Sequence, residues 1–272
     1  MVFSLVYGFL QIREEMPMNK TLMIAAAAFV ASVLAGCCID GSGDVVKETR
    51  RLSKFNRIRI ETSGSVSISK GDRRQVTVRT DDNIIDRIDT DVRNGTLHID
   101  LNPSTCIDPT TLRINIQTPE IEKLRVDGSS DIAFKDGFEG EALKIALDGS
   151  GDITAKKTLR YDTVDVVVKG SGDVTLAVDT ADLLTIIEGS GDIKYTGFAA
   201  IHDVDIEGSG DLLAYGLETD EAKVDIDGSG SCKLSVTETL EVSIEGSGDV
   251  LYRGAPEVSK ELDGSGRVKK TD

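Results

Sequence analysis

From residue 126 onward the chain alternates apolar and polar positions, and glycine breaks the alternation at regular intervals. Leu143/Ile145/Leu147, Val164/Val166/Val168, Val204/Ile206 and Leu240/Val242/Ile244 show the pattern. A period of two marks a strand with one buried face. The residues are largely Val and Ile, which favour strands. No segment of the repeat region shows a sustained helical period. The interruptions are near-copies of one hexapeptide: IEGSGD at 187–192, 206–211 and 244–249, LDGSGD at 147–152, VKGSGD at 168–173, VDGSSD at 126–131, IDGSGS at 226–231 and LDGSGR at 262–267.

Aligning these copies on their first glycine gives Gly128, Gly149, Gly170, Gly189, Gly208, Gly228, Gly246 and Gly264, at spacings of 21, 21, 19, 19, 20, 18 and 18 residues. Self-similarity at such a period is the signature of a solenoid. Two positions before each glycine the residue is always aliphatic, from Val126 to Leu262. Four positions after it stand Ile132, Ile153, Val174, Ile193, Leu212, Cys232, Val250 and Val268. Each unit therefore reads as a strand, a Gly-Ser-Gly-Asp corner, a second strand and a variable return. One unit cannot bury its own apolar face, but units stacked at the ~4.8 Å strand spacing can. The pattern predicts an all-β fold, a right-handed parallel β-helix or solenoid with aliphatic ladders inside. Eight units would rise about 38 Å at that spacing. In its column Cys232 is a small buried residue, with a disulfide to Cys106 as the alternative.

Residues 51–125 carry weaker versions of the pattern. IETSGSV at 60–66 aligns on IEGSGDV with Thr62 in the first glycine position, and QVTVRT (75–80), TLHIDL (96–101) and TLRINI (111–116) alternate as strands. They are expected to form degenerate first rungs and a cap, continuous with the regular array over 126–272. NPSTCIDPT (102–110) reads as a loop, and residues 38–50 as a short tether. Arg267, Lys269 and Lys270 charge the last rung, a device that protects an open sheet edge.

The N-terminus adds a destination. From Met18 the sequence runs MNKTLMIAAAAFVASVLAGCC: one lysine, then an uncharged apolar run, then Cys37. That order is a secretory signal, and the run is shorter than the ~20 residues a membrane span needs. Leu34-Ala35-Gly36-Cys37 resembles the bacterial lipobox, which implies lipid attachment at Cys37; ordinary cleavage after the Ala/Gly pair is the alternative. Glu14 and Glu15 do not suit a signal, so Met18 is the expected start and 1–17 a start-site artefact. Export permits disulfides, although four cysteines in 272 residues are no disulfide scaffold.

The charge of −16 suggests cations or basic partners, or simply a solvated acidic surface, and argues against nucleic acid. The acidic column after the second glycine is Asp131, Asp152, Asp173, Asp192, Asp211 and Asp249, with Ser231 and Arg267 breaking it. Stacked carboxylates could hold calcium, which takes oxygen ligands at ~2.3–2.6 Å. The competing reading is a turn, in which Gly supplies positive φ and Asp bonds nearby backbone N–H groups. No other cofactor is suggested. Catalysis lacks a basis: His98 and His202 have no partner pattern, and His202 is expected in solvent. Phe134, Tyr195 and Tyr252 share one offset, either as an exposed edge for glycan or as a ladder inside the solenoid.

RRLSKFNRIRIETSGSVSISKGDRRQVTVRTDDNIIDRIDTDVRNGTLHIDL (50–101), followed by the G-S-G-D array, resembles the head GIN domain family of exported bacterial proteins, also called auto-transporter adhesins. The resemblance covers about 50–268. It implies a right-handed β-helix-like fold and a cell-envelope location, and supplies no catalytic residues. The expected function is a non-catalytic lipoprotein of the outer membrane, facing the periplasm or the cell surface. Its membrane contact is the lipid, and its solenoid is an adhesin or a surface for a protein or glycan ligand. The alternatives are a calcium-binding structural protein and a polysaccharide-active β-helix enzyme. Ligand and oligomeric state are not legible.

Overall fold

The computed structural model describes residues 38–102 and 106–272; Cys37 and the expected export signal lie outside the described residues. Residues Asp40–Asp272 form one compact unit. The first half contains β1 (Ile39–Asp40), β2 (Val45–Arg51), β3 (Arg57–Glu61), β4 (Ser63–Lys70), β5 (Gln75–Asp81), β6 (Ile88–Arg93), β7 (Thr96–Leu101), β8 (Ile107–Asp108) and β9 (Arg113–Thr118). The regular array follows as β10 (Lys123–Phe134), β11 (Glu139–Gly149), β12 (Ile153–Gly170), β13 (Val174–Gly189), β14 (Ile193–Gly208), β15 (Leu212–Gly228), β16 (Cys232–Gly246), β17 (Asp249–Gly254), β18 (Glu257–Gly264) and β19 (Arg267–Lys270). The only helical element among the described residues is a single 3-10 turn at Ile85–Arg87.

The molecule is a parallel β-solenoid of about seven stacked turns. Each long strand from β12 to β16 runs from one corner round to the next, so it supplies most of a turn. Pairing is parallel and in register: Leu147 lies on Val168, Val168 on Ile187, Ile187 on Ile206, Ile206 on Ile226 and Ile226 on Ile244. The column after the corner does the same, from Ile153 through Val174, Ile193, Leu212 and Cys232 to Val250. These columns are the core, and almost all of their members are fully buried. Period-two alternation puts every second residue on the inner face, and stacking leaves each aliphatic side chain touching its equivalents above and below. Phe134, Tyr195 and Tyr252 belong to one inward column with Tyr195 completely enclosed, so the ladder reading holds and the glycan edge does not.

The corner needs glycine because successive turns touch there. At Gly189, φ is +138°, and a Cβ would lie 2.4 Å from the Gly170 carbonyl oxygen of the turn before. At Gly191 a Cβ would lie 2.2 Å from the Gly172 oxygen. Both positions thus exclude side chains, one by conformation and contact, the other by contact alone.

The N-terminal part mixes directions. β3 and β4 pair parallel with β10, in the register that sets Ile60 beside Val126 and Gly64 beside Ser130, and Gly128 abuts the Thr62 carbonyl. The degenerate rung expected at 60–66 is therefore present. β7 and β9 extend the parallel stack through β3 and β4. β2, β5 and β6 run antiparallel to their neighbours and close this part of the array. β6 and β7 turn through Asn94-Gly95, both at positive φ (51° and 75°), as a tight hairpin requires. Residues 45–50 of the segment expected as a tether (38–50) lie in strand β2, which pairs with β5. Asp108, in the expected loop, accepts from the Gly41 N–H at 2.9 Å.

Candidate functional surface

The aspartates after the corner point along the stack and are occupied by it. The Asp173 N–H donates to an Asp152 carboxylate oxygen at 3.1 Å, Asp192 N–H to Asp173 at 2.9 Å, and Asp211 N–H to Asp192 at 2.9 Å. Asp152 N–H reaches Asp131 at 3.3 Å, and Ser231 N–H reaches Asp211 at 2.8 Å. Each carboxylate thus accepts the backbone N–H that the next turn exposes at its corner. The reason for the repetition is mechanical: the corner interrupts the strand ladder, and Asp restores one bond per turn. Ser231 cannot reach across in this way, and no aspartate-to-backbone bond to Asp249 is formed among the described residues. The column ends where Arg267 donates to both Asp249 oxygens, at 3.1 and 2.6 Å. That contact holds the Asp249 carboxyl below the usual carboxylate range. Among the described residues, no group of three or more His, Cys, Asp or Glu is arranged to hold a metal.

The acids before the first glycine face outward and share cations between turns. Lys169 bridges to Glu188 at 2.7 Å, and Arg125 reaches both Asp127 at 2.7 Å and Asp148 at 3.5 Å.

His202 is fully buried, contrary to the expectation of a solvated side chain. Its column gives the reason. It occupies the inward position held by Leu183 in the turn before and Ala222 in the turn after. Its Nε2 lies 3.0 Å from the Thr185 hydroxyl, which also meets the Tyr195 hydroxyl at 3.1 Å. Burial lowers the His202 pKa to about 3 and raises that of Tyr195. The imidazole is neutral at ordinary pH and sealed from substrate. Aligning the whole rung, rather than the corner alone, would have exposed His202 as a core position.

Cys232 is a free, buried thiol whose pKa is raised, first by burial and then by the nearby Asp211 charge. Such a thiol is unreactive. Cys106 is disulfide-bonded, and so is Cys38. The Cys106–Cys232 alternative is thereby excluded.

The aspartates after the corner each give one carboxylate oxygen to the stack, and His202 and Cys232 lie in the core. What remains free is the outer surface, with grooves of about 390 Å³ around Ile201, Lys223 and Glu241 and about 460 Å³ around Ser67, Asn115 and Lys135.

The model of the family described as "Putative auto-transporter adhesin, head GIN domain" matches the chain twice, over residues 54–157 and 143–256. The chain belongs to the head GIN domain family. The two overlapping matches follow the continuity of the solenoid, with no break between the irregular rungs and the regular ones. Among solved structures, this head GIN chain is similar to a protein described as a putative lipid binding protein from Parabacteroides distasonis, with 26% identity and a TM-score of 0.83, covering 87% of this chain and 100% of that one. A protein described as a putative adhesin from Parabacteroides merdae matches at 20% identity and a TM-score of 0.83, with the same coverage. Another so described, from Parabacteroides distasonis, matches at 22% and 0.82, covering 86% of this chain and all of that one. No functionally curated protein matches the chain.

Proposed function

We propose that this head GIN domain protein is a non-catalytic, lipid-anchored component of the cell envelope, exported and held in the outer membrane through Cys37, whose solenoid presents its outer face to a protein or glycan partner. The observation that carries this reading is the fate of the chemistry-bearing residues. The aspartate column is spent on bonds between turns, and His202 and Cys232 are enclosed. The family description and the adhesin descriptions of similar structures support a binding role. A lipobox-like Leu34-Ala35-Gly36-Cys37 supports the anchor.

Two measurements test the proposal. Labelled palmitate should enter the expressed protein and be lost in Cys37→Ser; incorporation without dependence on Cys37, or none at all, contradicts the anchor. Cells displaying the protein should bind a host-glycan or matrix-protein array above a deletion strain. Turnover of any polysaccharide on that array by the purified protein would contradict the non-catalytic reading.

A further inference from the structure

Forty-seven acids outnumber 31 Lys and Arg in this chain, yet one outer groove has no carboxylate among its lining residues. It measures about 250 Å³ and lies over Ile58. Its walls come from neighbouring strands in register. Arg57 and Arg59 stand on β3, opposite Lys123 and Arg125 on β10 and opposite Thr96 and His98 on β7. Like charges directly across adjacent strands oppose strand pairing, and two such pairs lie side by side here.

The arginines are held in place. Asp127 accepts from Arg59 Nε and from Arg125 Nε through the same carboxylate oxygen, each at 2.9 Å. Asp127 thus orients both guanidinium groups, and Glu61 beside Arg59 and Asp148 beside Arg125 offset their charge further. Arg57 is steadied by the Asn94 carbonyl of the β6–β7 hairpin. Among the described residues Arg57 and Lys123 make no ion pair, so they are the cations of this groove left for a ligand, although both also line a neighbouring groove with Glu120, Glu122, Glu139 and Glu141.

We propose that this groove is a binding subsite for a phosphate monoester, carried by an envelope or host glycan or by a lipid headgroup. A phosphate monoester brings about −1.5 to −2 charges and three strong acceptor oxygens. That matches a cluster of forked and point-charge donors better than a single carboxylate does. The inference rests on the binding role proposed above and names the chemistry of one of its ligands.

The test uses the purified full chain with two probes: glucose 6-phosphate, and phosphatidylcholine vesicles with and without phosphatidic acid. Glucose and the neutral vesicles are controls. Saturable, salt-sensitive binding of a phosphate probe is expected, weakened about tenfold or more in the double variant Arg57→Glu/Lys123→Glu, since charge-assisted bonds are lost and replaced by repulsion. Both side chains are exposed, so circular dichroism and melting should be unchanged. A matched double variant on exposed lysines elsewhere, Lys156→Glu/Lys194→Glu, should bind as the original does. Binding of both probes assigns a free phosphate ester as sufficient; binding of the vesicles alone assigns a displayed headgroup. No saturable binding to either, or equal loss in the two double variants, overturns the proposal. Continued array binding without phosphate binding would reject the subsite and leave the broader role standing.

Discussion

A single glycine or aspartate in this repeat is defined by the turn before it. At Gly189 an added methyl meets the Gly170 carbonyl and also forces a side chain into positive φ. Gly189→Ala is therefore expected to destabilise the fold by about 3 kcal/mol or more, read from urea unfolding. His202 gives a pH signature. Its folded pKa of about 3 lies below the ordinary 6.5, so the unfolded chain takes up a proton that the folded one refuses. Stability should be intact above pH 6.5 and fall as pH drops from there toward 3, by about 1.4 kcal/mol per unit from this one group. His202→Leu keeps a core-sized apolar residue like Leu183 and should remove that increment. Unfolding curves of both proteins at pH 7 and pH 5 decide it, and identical acid sensitivity would contradict the buried-neutral assignment.

At the scale of one turn, the stack behaves as a series of interchangeable units, because each pairs only with its neighbours. Excising residues 153–173 removes one turn from Ile153 to Asp173 and leaves Asp152 joined to Val174, in equivalent register. The shortened protein should keep its β-type circular dichroism and a cooperative melt; loss of folded structure would contradict the modular account. This level was the most legible from sequence. The aliphatic columns, the corner glycines and the rung at 60–66 follow from alternation and spacing alone, since an in-register stack repeats its contacts along the chain. β2 was not legible, because VVKETRR has no alternation to read and gains its place only by pairing with β5, some thirty residues away. The environment of His202 is hidden from an alignment on the corner alone; its column of Leu183, His202, Ala222 and Leu240 shows only along the whole rung. The bond made by each Asp was hidden for another reason: its acceptor and donor belong to different turns, so a motif read along one turn suggested only a local turn or a cation.

At the scale of the molecule, the two ends differ. Antiparallel strands β2, β5 and β6 end the N-terminal part, whereas β18 and β19 continue the parallel stack to its last turn, each with one paired neighbour among the described residues. Lys260 stands there in a column that is Val224 and Val242 in the turns before, and Leu262 is 42% exposed. A charge at an otherwise inward position of an open edge prevents end-to-end addition of another chain. Lys260→Val should raise light scattering with protein concentration while leaving the fold intact; unchanged scattering would assign edge protection to Lys269 and Lys270 instead.

The central claim is that the repeated Asp is a hydrogen-bond acceptor between turns and not a cation ligand. The most direct measurement compares Asp192→Asn with Asp192→Ala by urea unfolding, each with calcium and with chelator. Asn keeps an acceptor oxygen for the Asp211 N–H and removes one of the stacked charges. The account predicts that Asn unfolds like the original protein or later, that Ala loses about 1–2 kcal/mol, and that calcium changes none of the three. Equal loss in Asn and Ala, with calcium stabilising only the original, would contradict it.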